Sequence, residues 1–196
     1  KAQEADILRD SLSKCIDPLL DAYYKNDFKL KMVLPRLNYL QILVILLSQL
    51  LSKFDQDKAS PPQDLIERCV TFAFVWGIGG MLELVERDKF STMLCGLVPA
   101  SSLPSLGSGE NVFDYFVDMN KNGQWQHWKT ILPSWQYPQG TEPKFAALLI
   151  PTLDSVRYEW LLDAIVTKMG KPLLCIGGVG VTKTATVMQY AAKFDS

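Results

Sequence analysis

The feature that most constrains this chain is a glycine-rich stretch near its C-terminus, residues 172–188, which reads PLLCIGGVGVTKTATVM. An apolar run leads into a glycine-dense turn, and a Lys-Thr pair with a helix-permissive tail follows. This order predicts the strand, loop and helix of a P-loop. Backbone N–H groups can enclose a phosphate chain only at close range, and glycine permits both the approach and the unusual dihedral angles. A helix beginning near Lys183 adds free N–H groups and a partial positive charge at its N-terminus.

The motif assigns a role to each residue of this loop. Lys183 is predicted to reach the β- and γ-phosphates, and Thr184 to place its hydroxyl on Mg2+. The motif has glycine where this chain has Thr182, and a β-branched residue strains the loop if the position needs a positive φ. The alternative to a phosphate-binding loop is a strand-to-helix turn that is rich in glycine only because the backbone packs tightly there. The predicted phosphate-binding residues are Gly177, Gly178, Val179, Gly180, Val181, Thr182, Lys183 and Thr184.

The composition narrows the class of protein. The chain has 196 residues, 48% of them apolar and 21% charged, which is ordinary for a globular protein with a real core. A net charge of -1 without any basic run predicts that no nucleic acid is bound. The most apolar run, residues 40–51, is shorter than the roughly 20 residues a membrane span needs and predicts a core helix, so no membrane partner is expected.

The first hundred residues have the spacing of apolar residues typical of helices. One helix is predicted over residues 3–25 with a break at Asp17-Pro18, and a second, buried over most of its circumference, over residues 35–54. A third opens at residues 60–62 and is interrupted at residues 77–80, where four positions hold three glycines. A fourth is predicted over residues 81–97, and its charged side chains are expected on a solvated face: Glu83, Glu86, Arg87, Asp88 and Lys89.

Residues 99–110 are rich in Pro, Ser and Gly and are predicted to link two domains. The first domain, residues 1–98, is then an all-helical unit. In the second, residues 111–196, an alternating run at 112–117, a turn at 120–123 and a further run at 125–128 predict a β-hairpin. A helix is predicted to begin near Asp154 and to end at a Gly170 C-cap. The predicted fold class is therefore α followed by α/β.

The parts that a hydrolytic P-loop domain needs are not all present in this sequence. No apolar strand that ends in an acidic pair, which would hold Mg2+, occurs before the loop. A lone strand with one helix cannot bury both faces of a sheet. We therefore interpret the sequence as a piece of a larger chain that is not expected to hydrolyse ATP by itself. A helical lid that precedes a P-loop domain is the arrangement of tandem AAA+ modules.

Three further stretches resemble dynein heavy chains of the axonemal class. Residues 72–80, FAFVWGIGG, with RDKF at 87–90 resemble the end of that family's second AAA+ module. VFDYFVD at 112–118, with Trp125 and Trp128, is similar to the entry into the third module. LIPTLDSVRY at 149–158 resembles the stretch before that module's P-loop. Together these cover residues 60–190, and their order is more specific than the P-loop alone.

The resemblance implies an ATP-driven microtubule motor built as a ring of six AAA+ modules, with a regulatory nucleotide site in the third. It implies ATP or ADP with Mg2+ as ligands, and Leu149, Ile150 and Pro151 near the adenine. The implied partners are neighbouring modules of the same heavy chain, intermediate and light chains, and the microtubule through the rest of the chain. The implied location is the cytoplasm, cytoskeleton and axoneme of a cilium or flagellum.

Two alternatives to this reading stay open at the level of the sequence. The chain could be a non-hydrolysing structural module whose degenerate P-loop packs between neighbours. It could also be a fragment of an unrelated P-loop ATPase with a helical domain at its N-terminus.

Overall fold

A computed structural model describes residues 2–25, 27–57, 59–137, 150–180 and 182–194. The chain divides into two compact units, Lys1–His127 and Trp128–Ser196. Among the described residues, the first unit contains four α-helices and a β-hairpin, and the second contains two α-helices and the glycine-rich loop.

The helices of the first unit are α1 (Ala2–Tyr24), α2 (Arg36–Asp57), α3 (Gln63–Gly77) and α4 (Arg87–Leu97). Helix α3 lies at the centre, and every residue from Cys69 to Gly77 is buried. Its neighbours α1 and α2 pack against it, and its C-terminal half is buried on all sides. This confirms the predicted all-helical character of the first hundred residues.

The predicted break at Asp17-Pro18 is wrong, because α1 runs through Pro18 without interruption. Proline removes one hydrogen bond from the helix and usually bends or ends it. Here Cys15 and Leu19, on either side of the proline, are both buried in the core. The packing of Cys15 and Leu19 in the core therefore keeps α1 continuous through Pro18, although proline by itself favours the first turn of a helix.

Helix α2 buries one face, and the prediction that it is buried over most of its circumference is wrong. Leu43, Leu46 and Leu50 are in the core, whereas Leu37 is 64% exposed and Val44 is 61% exposed. By length and composition alone, α2 could cross a membrane. One such helix is weak evidence for a membrane span, because the core helices of other proteins are as long and as apolar.

Gly77 and Gly79 allow close approach of neighbouring elements. A Cβ added at Gly77 would lie 3.0 Å from Leu43 Cδ2, and one added at Gly79 would lie 2.6 Å from Phe113 Cζ. Two 3-10 turns follow, Gly79–Met81 and Leu84–Glu86, so the fourth helix begins at Arg87. The predicted solvated position of Arg87 is wrong, because that side chain is buried.

The β-hairpin consists of β1 (Tyr115–Asp118) and β2 (Gln124–His127), paired antiparallel from Tyr115↔His127 to Asp118↔Gln124. The predicted turn holds two left-handed residues, Asn122 and Gly123, with φ of 55° and 66°. The predicted strand began three residues too early. Val112–Asp114 forms a 3-10 turn, capped by the Asn111 side chain that accepts from the Phe113 N–H.

The predicted linker, residues 99–110, lies inside the first compact unit. Ser102 is fully buried, and its carbonyl accepts a hydrogen bond of 3.0 Å from Trp125 Nε1 of β2. The Thr71 hydroxyl of α3 donates to the Ser102 hydroxyl. In this chain the hairpin therefore packs with the helices, and the division between compact units falls after His127.

The second unit contains α5 (Leu153–Leu162), a π-helical continuation (Asp163–Lys168) and α6 (Lys183–Ala191). Thr152 caps α5 in a capping box with Ser155. Gly170 ends the helical segment with a φ of 60°, and its N–H donates to the Val166 carbonyl, which confirms the predicted C-cap.

Candidate nucleotide-binding loop

The loop between residues 176 and 183 turns sharply just before α6. Gly180 has a φ of 78° and Thr182 a φ of 57°, and α6 begins at Lys183. The helix start is the one that the sequence predicted. Residues 171–178 have no regular secondary structure. The predicted strand at 172–176 is therefore not formed among the described residues. A strand needs backbone hydrogen bonds to a neighbouring strand, and the part of the chain that the structure describes supplies none here.

Lys183 folds back over the loop. Its Nζ donates a hydrogen bond of 2.9 Å to the Gly177 carbonyl and a second one to the Gly178 carbonyl. The lysine thus ties the start of α6 to the first glycines of the motif. An ammonium group has three donors, so the same group can exchange carbonyl oxygens for phosphate oxygens without leaving the turn.

The N-terminus of α6 supplies the second element of an anion site. The first N–H groups of an α-helix have no partner within the helix and point out of its end. The dipole of the nine-residue helix adds partial positive charge there. The Thr182 carbonyl accepts from both the N–H and the hydroxyl of Thr186, at 2.9 Å and 3.0 Å, which holds the first turn in place.

The loop is open to solvent in the described chain. Gly177, Gly178 and Gly180 are exposed, as are Thr182 and Thr184, whereas Lys183 is half-buried. A ligand can therefore reach the N–H groups of the turn and the end of α6. Val181 lies outside the described residues.

The packing of α6 on α5 gives the loop a fixed base that the spacing of residues in the sequence does not predict. Tyr190 is buried, and its hydroxyl shares a hydrogen bond with Thr167 Oγ1 and lies 3.3 Å from Asp163 Oδ1. Lys193 forms an ion pair with Glu159 of α5. A tyrosine on an otherwise apolar helical face was the one available signal, since buried hydroxyls need partners.

The residues expected near the adenine are only partly described. Leu149 lies outside the described residues; Ile150 is 59% exposed and Pro151 half-buried, just before the Thr152 cap of α5. Among the described hydrogen bonds, none joins these two residues to the glycine-rich loop. The structure brings together Gly177, Gly178 and Lys183.

Among the described residues of the loop, the Thr184 hydroxyl is the side-chain oxygen that the motif assigns to Mg2+. Among the described residues, no group of three His, Cys, Asp or Glu side chains could hold a metal ion. The Thr184 hydroxyl is a hard oxygen donor in the first turn of α6. Mg2+ commonly takes one or two protein oxygens and completes its shell with phosphate oxygens and water, so this residue fits the ion.

A lysine-closed glycine loop on a helix N-terminus, with a predominantly helical unit before it in the chain, defines the class of P-loop proteins with AAA+ lids. Comparison with known families agrees with this class. Residues 8–130 match the dynein heavy chain AAA lid domain, and residues 135–196 match the P-loop containing dynein motor region. The chain therefore belongs to the dynein heavy chain family.

Individual relatives extend over nearly the whole chain. It is 33% identical to dynein axonemal heavy chain 5 of Mus musculus over 98% of its own length and 4% of the relative's. It is 31% identical to the dynein gamma chain of the flagellar outer arm of Chlamydomonas reinhardtii, over 94% of its length and again 4% of the relative's. The sequence thus spans a small part of the length of these relatives.

Proposed function

We propose that this chain supplies a helical lid and a nucleotide-binding P-loop to an ATP-driven, microtubule-based motor that is a dynein heavy chain of the axonemal class. The observation that carries the proposal is the position of Lys183. Its ammonium group lies over the carbonyls of Gly177 and Gly178, at the start of a helix whose dipole favours an anion. The relatives are named as axonemal and flagellar heavy chains, which supports a site of action in the axoneme.

Within this loop, the backbone from Gly177 to Thr182 wraps the phosphates and Lys183 contacts their outer oxygens. The Thr184 hydroxyl ligates Mg2+, which supplies charge neutralisation between the phosphates when it is bound. Leu149, Ile150 and Pro151 line the adenine. Either ATP or ADP satisfies this chemistry, because both present a β-phosphate to the helix N-terminus.

The site is proposed to bind nucleotide in a regulatory role. Hydrolysis needs an acidic residue at the end of a second strand and a group that orients water. Neither is supplied by the residues around the loop that the structure describes. The chain's own residues therefore hold the nucleotide, and other modules of the same heavy chain complete the ring.

The partners follow from this assignment. Neighbouring AAA+ modules of the heavy chain pack around the lid and the loop, while intermediate and light chains and the microtubule contact other parts of the motor.

We also propose that residues 99–110 mark the boundary between two successive modules of the intact ring, so that residues 1–98 belong to one lid and residues 111–196 to the next P-loop domain.

A Lys183→Ala variant of the full-length heavy chain tests the site. Nucleotide that stays bound after rapid desalting is extracted and quantified per chain. We expect the variant to lose the nucleotide held at this loop, visible also as missing density between Gly177 and Thr184 in a cryo-EM map. Lys171→Ala is the matched control, because Lys171 is an exposed lysine outside the loop and its loss should leave the nucleotide content unchanged.

One observation favours a second candidate, a packing module that holds no nucleotide. Thr182 is a β-branched residue in a left-handed conformation where the motif has glycine. If the loop were degenerate, density at this site would be empty at millimolar MgATP in the wild-type ring, and Lys183→Ala would change neither nucleotide content nor density.

A further inference from the structure

Thr182 is the non-glycine residue with a positive φ among the described residues of the candidate site. Among the described residues, the non-glycine positions with positive φ are Asn122 and Thr182. Asparagine tolerates this conformation and is common in hairpin turns, where Asn122 lies. A β-branched residue there is an outlier, because its Cβ substituents crowd the following carbonyl.

Few contacts of the described chain hold Thr182 in this conformation. The residue is exposed, and its side chain makes no capping hydrogen bond to α6. The contacts on it are those of its carbonyl with Thr186. The glycines before it are exposed as well. A strained residue persists only where its surroundings over-determine it, and a phosphate chain bonded to the loop's N–H groups would supply the missing constraint.

We propose that Thr182 lowers the affinity of this loop for nucleotide, because the free loop, in which Thr182 is exposed and makes no capping hydrogen bond, can leave the left-handed conformation, whereas the bound loop must hold this β-branched residue in it. This inference rests on the proposed nucleotide site. Glycine adopts the same φ at little cost, whereas an L-residue pays a penalty equivalent to about a 5- to 30-fold change in an equilibrium constant. Thr182 therefore makes the site exchange nucleotide more readily than a glycine at this position would.

The test is a set of substitutions at Thr182 in the full-length heavy chain, titrated with a fluorescent ATP analogue in the presence of Mg2+. The component of binding that Lys183→Ala abolishes is assigned to this site. We expect Thr182→Gly to tighten that component about 5- to 30-fold, chiefly through slower dissociation. Thr182→Asn, which tolerates the left-handed region, should recover part of the gain.

Thr182→Val separates strain from a direct contact of the hydroxyl. Valine keeps the branching and loses the oxygen, so it should bind like threonine if strain decides the affinity. Asn122→Gly is the matched control, since it relieves the other left-handed non-glycine residue and should leave nucleotide affinity unchanged.

The outcomes distinguish this inference from the proposed function. If the Lys183-dependent component exists and Thr182→Gly leaves it unchanged or weakens it, the inference is overturned while the site stands. A valine variant much weaker than wild type also overturns it, in favour of a hydroxyl contact. A component that appears only in Thr182→Gly supports the inference, and its absence from every variant removes the nucleotide site and the inference together.

Discussion

The guanidinium carbon of Arg87 lies 4.8 Å from the centroid of the Phe113 ring, at the start of α4. It also lies 5.7 Å from the ring centroid of Trp76, on α3. The side chain is buried, and its Nε has no hydrogen-bond partner among the described residues. The charge is therefore held against aromatic faces, and the residue joins α3, α4 and the turn before β1.

We expect Arg87→Ala to destabilise the chain by about 2 kcal/mol, because it removes a desolvated cation–π contact together with the packing of the long side chain. The measurement is the free energy of unfolding in urea. Lys89→Ala is the matched control: its Nζ lies 4.8 Å from the Phe28 ring centroid, but the side chain is exposed. A loss for Lys89→Ala as large as that for Arg87→Ala would contradict a role for burial.

Gly79 and Gly80 form a second matched pair. A Cβ at Gly79 would lie 2.6 Å from Phe113 Cζ and 2.9 Å from Phe90 Cε1, whereas one at Gly80 would meet nothing within 4 Å. We expect Gly79→Ala to cost about 1–3 kcal/mol through overpacking of a buried site. Gly80→Ala should be neutral or slightly stabilising, since it only restricts the unfolded chain. Thermal unfolding of the two variants checks this, and equal melting temperatures would contradict it.

Pro18 should be replaceable with a gain in stability. It is exposed within the continuous helix α1, so Pro18→Ala restores a helical N–H and loses no core packing. We expect a gain of about 1 kcal/mol or more, measured by chemical denaturation.

Pro35 provides the opposite case for comparison. It precedes α2, where a proline fits the helix start and restricts the unfolded chain. Pro35→Ala is therefore expected to lose about 0.4–1 kcal/mol. A loss of stability for Pro18→Ala, as for Pro35→Ala, would contradict the continuity of α1 through Pro18.

Stability should fall at high pH because of Cys69. Burial raises the pKa of this thiol from its ordinary value of 9.0 to about 12. Below pH 9 the thiol is protonated in both states; as the pH rises towards 12, the unfolded chain loses the proton and the folded chain keeps it. The folded state therefore loses about 1.4 kcal/mol per pH unit in this window.

Urea unfolding at a series of pH values measures this slope, with Cys69→Ala as the comparison. The variant is expected to be less stable at neutral pH, because a buried side chain is shortened, and to lose less stability between pH 9 and 11. Burial also raises the pKa of Tyr23, whose hydroxyl donates to the Ile78 carbonyl, so part of the alkaline slope remains in the variant. Identical slopes in both proteins would contradict the burial of Cys69.

Features that depend on neighbouring residues were predictable from the sequence. The start of α6 at Lys183, the Gly170 C-cap and the turn at Asn122-Gly123 each follow from the dihedral and hydrogen-bonding preferences of a few adjacent residues. The order of a helical unit and a glycine-rich loop was equally visible, and its resemblance to dynein heavy chains agrees with the families that the two parts match.

The errors share a physical cause. Pro18 lies inside a helix because Cys15 and Leu19 pack in the core, and Arg87 is buried because Trp76 and Phe113 come together around it. Each outcome depends on a residue distant in the sequence, whose contribution to the free energy exceeds the local preference.

The sequence by itself determined the loop, the residue types that can hold a phosphate chain and the helix that begins at Lys183, since these depend on short-range chemistry. Only the tertiary structure decided that Lys183 lies on the carbonyls of Gly177 and Gly178, that Thr182 carries a left-handed backbone and that Tyr190 anchors α6. The anchoring of α6 arises from the packing of whole elements, and the closure of the loop arises from hydrogen bonds across it; the spacing of residues along the chain specifies neither.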